Sequence, residues 1–134
     1  MAMRKATRSL LPRVKVWLEI DGEYIFGWGI CEILQAVRDA GSIKDAAAQL
    51  GKSYRYVWGR VKEAEATLQQ PLVETRVGGD IEQRSSLTLL ANQLVEDFVA
   101  FRARMLDIAR DEFASRFAAL KPKGASARMR RRRT

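Results

Sequence analysis

A small, mainly α (α+β) fold follows from three features of this 134-residue chain. Two helical apolar patterns meet at Gly51 with the spacing of a helix-turn-helix. An Asp21-Gly22 pair separates two runs rich in β-branched and aromatic residues, the signature of a tight hairpin. A stretch from 88 to 120 repeats apolar residues at intervals of three and four, the pattern of one long helix. Together they predict a winged helix-turn-helix with an N-terminal β-hairpin and a long C-terminal dimerisation helix. The expected division is a flexible basic arm over 1–12, the winged domain over 13–87, the long helix over 88–120 and a disordered basic tail over 121–134.

The elements follow in order. Arg4, Lys5 and Arg8 make the arm basic, and no apolar core accompanies them, so it does not have the form of a secretory signal. Over 13–27, Val14, Val16, Leu18 and Ile20 alternate to one side. Pairing Ile20 with Glu23 across the Asp21-Gly22 turn sets Leu18 opposite Ile25 and Trp17 opposite Phe26. Gly27 and Gly29 bracket Trp28. Ile30, Ile33, Leu34 and Val37 then form the stripe of a first helix ending near Gly41. Ser42 is suited to cap the next helix, with Asp45 three residues on, and Ile43, Ala46, Ala47 and Leu50 share one face. Gly51 supplies the left-handed residue at which that helix stops. Ser53 caps the following helix, whose buried face is Val57, Val61 and Leu68 and which runs to about Leu68 before Pro71. Residues 72–87 read as a wing turning at Val77-Gly78-Gly79-Asp80-Ile81. Thr88 caps the last helix. Along it Ala91, Leu94, Phe98, Phe101, Met105 and Ile108 form a stripe that continues, after a shift, through Ala109, Phe113, Phe117 and Leu120.

A helix of some 30 residues is about 45 Å long, more than a domain of this size covers. Its near end is expected on the domain and its far end on a second chain, which makes Leu94, Phe98, Phe101, Met105, Ile108, Phe113 and Phe117 the expected dimerisation residues.

The net charge of +8 is concentrated at the chain ends. Ten of the 24 basic residues lie in the first twelve and last fourteen positions, and all 16 acidic residues lie between, which leaves the body near −2. The informative charge is local: Lys44, Lys52, Arg55, Arg60 and Lys62 face one acid, Asp45, between positions 42 and 62. Concentrated positive charge on a helix-turn-helix is the footprint of phosphate contact. A lone cysteine, Cys31, excludes an intramolecular disulfide and reads as a small buried side chain. No apolar run approaches the roughly 20 residues of a membrane span, so no membrane partner is expected and the location is taken as cytoplasmic.

Enzymatic chemistry finds little support. The chain has no histidine, hence no imidazole base and no histidine metal ligand. No phosphate-binding glycine loop appears, and Glu96-Asp97 and Asp111-Glu112 are helix neighbours whose carboxylates diverge. Neither a cofactor nor a metal is expected.

The first turn of the second helix of a helix-turn-helix meets base edges in the major groove. The expected DNA-binding residues are Ser53 and Tyr54 as base-edge or backbone contacts, Arg55 as a base or phosphate contact, Lys44, Lys52, Arg60 and Lys62 on phosphates, and Arg76 and Arg84 on phosphates at the wing, together with Ser42, Trp58 and Gly59. Trp58 faces outward or partly so. The plainer reading of the motif is a helical hairpin whose cations are solvated. Two further readings stand beside the regulator: a sequence-independent nucleoid protein bound through its basic tails, and a protein-interaction module that retains the fold.

The order of elements and several residues resemble the N-terminal domain of ModE-type molybdate-responsive transcription regulators, relatives of the LysR-type winged helix. The residues are Phe26-Gly27 with Gly29; Gly41-Ser42-Ile43 with Ala46-Ala47-Ala48; Leu50-Gly51 before Ser53-Tyr54-Arg55; Trp58; and Pro71-Leu72-Val73-Glu74-Thr75-Arg76 before Gly78-Gly79. Leu87-Thr88 resembles the family's entry into its last helix. The resemblance covers about residues 13–115. It implies a cytoplasmic homodimer on a palindromic double-stranded operator, with Ser53, Tyr54 and Arg55 at the major groove and the wing on flanking phosphate. Members of full architecture also carry C-terminal oxyanion-binding modules. No such module follows the long helix here, so direct molybdate binding is not expected. Asp80-Ile81-Glu82-Gln83 replaces a typically glycine-rich stretch of the wing.

Overall fold

The computed structural model describes residues 8–77, 83–120 and 122–123. They form β1 (Trp17–Ile20), β2 (Glu23–Gly27), α1 (Trp28–Ala40), α2 (Ile43–Leu50), α3 (Tyr54–Leu68), β3 (Val73–Val77), β4 (Gln83–Leu87) and α4 (Leu89–Arg116). The expected winged helix-turn-helix architecture is thus present. Most of the arm and nearly all of the basic tail lie outside the described residues, as does the wing turn at 78–82. The chain divides into two units, Val16–Arg102 and a second drawn from the two chain ends. Everything that bears on the candidate interface lies in Val16–Arg102.

Asp21 and Gly22 both take positive φ, 48° and 84°, as a two-residue hairpin turn requires. Ile20 pairs with Glu23 as expected, but Leu18 faces Phe26 and Trp17 faces Gly27, because the register shifts between Leu18 and Glu19. The extra residue is Ile25. A bulge frees consecutive side chains from strict alternation, and here Ile25 and Phe26 are both buried. The strand also begins later than the alternation suggested. Val14 and Ile20 are exposed, while Val16 and Leu18 pack on the core.

The core is built around α1, whose Ile30, Cys31, Ile33, Leu34 and Val37 are buried. Cys31 is fully enclosed, and burial, aided by nearby Glu32, pushes its thiol pKa up to about 11, which leaves it protonated and unreactive. Ala46 and Ala47 of α2 and Val57, Val61 and Ala64 of α3 complete the three-helix contact. Small residues at these positions let the helix axes approach closely.

Thr88 joins wing to last helix. Its hydroxyl accepts from Ala91 N–H (3.1 Å), capping α4, and donates to Pro71 O (3.0 Å). Ala91, Val95 and Phe98 of α4 are buried. Phe98 is only 3% exposed; its ring meets Phe26 edge-on at 5.3 Å and lies near Trp28 at 6.5 Å. Phe98 therefore belongs to the chain's own core and is unavailable to a second chain, contrary to the sequence expectation. Leu94 is half-buried and also packs on that core. Arg102 lies over the Trp28 ring at 4.0 Å, and Arg38 reaches Asn92 (3.2 Å) and Glu96 (3.8 Å), tying α1 to α4. The helix ends at Arg116, four residues short of the expected limit. Leu120 N–H donates to Phe117 O (3.0 Å), an i→i+3 bond that tightens the chain out of α-helical geometry.

Two polar contacts set the wing against the helices. Ser85 N–H donates to Gly41 O (2.8 Å), and the Glu65 carboxylate, near the end of α3, accepts from Leu72 N–H (2.7 Å) and Val73 N–H (3.1 Å). Its other oxygen meets Lys62 Nζ at 3.1 Å. Burial raises the Glu65 pKa, but the two backbone donors and Lys62 outweigh it and hold the carboxyl below its ordinary 4.5. With the folded pKa depressed, the stabilisation is complete above about pH 4.5 and is lost as pH falls through the folded value. The stability gap between wild type and Glu65→Gln should thus be constant above pH 4.5 and close below it, as read from urea midpoints between about pH 6 and about pH 3.

Candidate nucleic-acid interface

The interface is assembled at the turn between α2 and α3. Gly51 takes φ 67°. Gly51 N–H donates to Ala48 O (3.2 Å) and Lys52 N–H to Ala47 O (3.0 Å), so the orphan carbonyls of α2 are satisfied as the chain reverses. Ser42 Oγ accepts from Asp45 N–H and Ser53 Oγ from Tyr56 N–H, each at 3.0 Å. Asp45 thus enters its cap through its backbone. A capping hydroxyl spends a lone pair and keeps its proton, so Ser53, which is exposed, can still donate to a phosphate or a base acceptor.

With Val57 and Val61 buried, the opposite side of α3 is solvent-facing. Residues 51–56 are all exposed, as is Gly59, while Trp58 and Arg60 are half-buried. Arg55 makes no ion pair or side-chain hydrogen bond among the described residues. A Cβ added to Gly59 meets nothing within 4 Å, so nothing inside the protein requires glycine there.

The aromatic residues organise this face. The Tyr54 ring stacks on Trp58 with centroids 6.5 Å apart and planes 20° apart, and Lys62 Nζ sits 4.6 Å from the Trp58 ring centre. Trp58 also packs against the core, so it is at once core and surface. Tyr56, outside the expected site, is exposed and carries two cations: Lys52 Nζ at 5.3 Å, and Arg60, whose guanidinium is 5.9 Å from the ring and donates to the hydroxyl at 3.0 Å. Only its place one turn before Arg60 signals this role. Arg60 further approaches Glu63 (3.9 Å). Arg60 and Lys62 are thus engaged within the protein, unlike Arg55.

Beside the first turn lies an open cleft of about 820 Å³, lined by Gly41, Ser42, Lys44, Asp45, Tyr54 and Arg84 among others. It brings together Ser42, Lys44, Tyr54 and Arg84 from three separate elements. A smaller recess of about 280 Å³ adds Arg76 to Arg84. These two arginines are direct cross-strand partners and both are exposed. Like charges placed opposite one another destabilise a ribbon, and an anion between them would remove that repulsion. Among the described residues no cluster of His, Cys, Asp or Glu could hold a metal ion, and no helix is long and apolar enough to cross a membrane.

No curated protein matches this chain. Among solved structures, it is similar to ArgP from Mycobacterium tuberculosis at 27% identity and a TM-score of 0.46, over 63% of this chain and 29% of ArgP. It is also similar to the CbnR DNA-binding domain, determined in a complex with DNA, at 29% identity and a TM-score of 0.48, over 71% of this chain and all of that one. Residues 30–89 match the family described as bacterial regulatory helix-turn-helix protein, lysR family. That span runs from α1 to the start of α4 and contains every helix-turn-helix and wing residue described above, so it is in the helix-turn-helix and wing that this chain is similar to that family.

Proposed function

We propose that the protein is a homodimeric, sequence-specific DNA-binding transcription regulator of the ModE/LysR winged-helix type, acting in the cytoplasm on a palindromic double-stranded operator. The observation that carries this reading is the exposed first turn of α3. It is capped and basic, it is backed by a buried valine stripe, and it stands beside a cleft lined by Lys44 and Arg84. The LysR-type match over 30–89 supports it. The ModE side of the reading rests on the residues from Gly41 to Gly79 quoted above.

Within this reading Arg55 reads a base, Ser53 donates to backbone or base, and Lys44, Lys52, Arg76 and Arg84 neutralise phosphates. Arg60 and Lys62 brace the aromatic side chains and add charge. Dimerisation falls to the distal part of α4, where Phe101, Ile108 and Phe117 are 44%, 39% and 50% exposed and Met105 and Phe113 are half-buried.

Selecting duplexes from a random pool with the full chain tests the proposal; failure to enrich any sequence overturns it. On the selected duplex, Arg55→Ala should cost about 1–3 kcal/mol and relax one position, as a bidentate guanine contact does. Arg76→Ala and Arg84→Ala should instead weaken all sequences alike and each lower the salt slope by about one. Gly59→Ala should raise the stability of the free protein by roughly 0.5–1 kcal/mol, the ordinary cost of glycine inside a helix, and weaken operator binding, since Gly59 shares the Arg55 face. Ile108→Glu should leave the fold intact by circular dichroism and convert the dimer to monomer in sedimentation; a monomeric wild type would overturn the homodimer.

A further inference from the structure

We infer that Tyr54 is a specificity-determining residue that recognises the C5-methyl group of a thymine in the major groove. The inference rests on the DNA-binding reading above and names one base that reading leaves open.

Tyr54 is the first residue of α3 and is 47% exposed. Its ring is not free to wander. One face is stacked on Trp58 a turn later, and Trp58 is held in turn by the core beneath it and by Lys62 beside it. The Tyr54 hydroxyl makes no hydrogen bond among the described residues. The result is a rigid apolar plate on the turn that reaches furthest into a groove, flanked in the same cleft by Lys44 and Arg84. Those cations suit the phosphates on either side; the plate itself does not.

Base edges in the major groove present donors and acceptors, with a single apolar exception in unmodified DNA, the thymine methyl. A hydrogen-bonding edge pressed against an aromatic face would lose water without gaining a partner, whereas a methyl gains contact and loses little. Stacking on Trp58 also restrains the ring before DNA arrives, so less order remains to be imposed on binding.

The test uses the full chain and the duplex it selects from a random pool. Each thymine is replaced in turn by deoxyuridine, which deletes the methyl and keeps the hydrogen-bonding edge. One thymine per half-site should weaken binding about four-fold on replacement, the effect of burying one such group. Tyr54→Ala, with its fold checked by circular dichroism, should bind the thymine and uracil duplexes equally at that position and still discriminate at the others. Tyr54→Phe should keep the four-fold preference. The inference is overturned if no thymine is sensitive, if Tyr54→Ala preserves the preference, or if Tyr54→Phe loses it, the last making the hydroxyl the contact. A protein that enriches a sequence yet ignores uracil defeats this inference alone; one that enriches nothing defeats the regulator reading with it.

Discussion

The burial of Val57 and Val61 is the constraint on which the remainder of the molecule depends. Both are fully enclosed in the common core. Burying each is worth about 1.5–3 kcal/mol, and a helix advances 100° per residue, so this one stripe fixes the direction of every other side chain on α3. Any rotation that withdrew Arg55 from solvent would expose a valine and bury an unpaired charge, and the second penalty alone amounts to several kcal/mol. The outward face is therefore set by what the inward face excludes. Gly51 and the two serine caps then determine where that face begins.

A second constraint places the wing. Two strands joined by a turn are marginal in isolation, and β3–β4 gains its place from neighbours. Leu72 and Leu87 are buried in the common core, Ser85 is bonded to the α1–α2 junction, and Glu65 holds the chain entering β3. The Arg76–Arg84 pair is thus imposed on a ribbon whose two strands are each anchored at the base. A ribbon free to slip would relieve the repulsion by changing register. This one cannot without losing Glu65 or Gly41 as partners, so the two charges remain side by side and available to an anion. The same carboxylate that anchors β3 also draws Lys62 aside, so anchoring the wing and bracing the aromatic stack are coupled through one side chain.

What the sequence made legible was local chemistry. As caps, Ser42, Gly51, Ser53 and Thr88 act within three or four residues of themselves, and Asp21-Gly22 within two; such contacts depend on nothing further along the chain, and the additional reach of Thr88 to Pro71 is the one part that does. The starts of α2, α3 and α4 and the exposed turn followed from them. The departures arise where a residue answers to a distant one. Ile25 is squeezed out of register because Phe26 must reach Phe98 and α1, a requirement invisible in the hairpin itself. Phe98 continues the α4 stripe by spacing alone, and only the position of Phe26 and Trp28 shows that this part of the stripe is already covered. Glu65 bonds backbone groups seven and eight residues away across a reversal that no periodicity encodes. Tyr56 and Lys62 belong to the surface through partners one turn off, so their roles depend on which rotamers the crowded face permits.

The charge balance and the aromatic face are two parts of one solution. A body near −2 gains little from long-range attraction to a polyanion, since scattered surface charges are screened beyond about 8–10 Å at physiological salt. Affinity must then come from cations placed at contact distance and from surfaces that exclude water. The α3 face supplies both: Arg55 unpaired among the described residues, Lys52 and Arg60 held against Tyr56, and Lys62 against Trp58. A cation resting on an aromatic ring stays charged and loses part of its rotamer freedom in advance, so less order remains to be imposed on binding. On the proposed reading, rigid rings and restrained cations favour discrimination over indiscriminate attraction, the balance a reader of sequence needs and a coating protein does not.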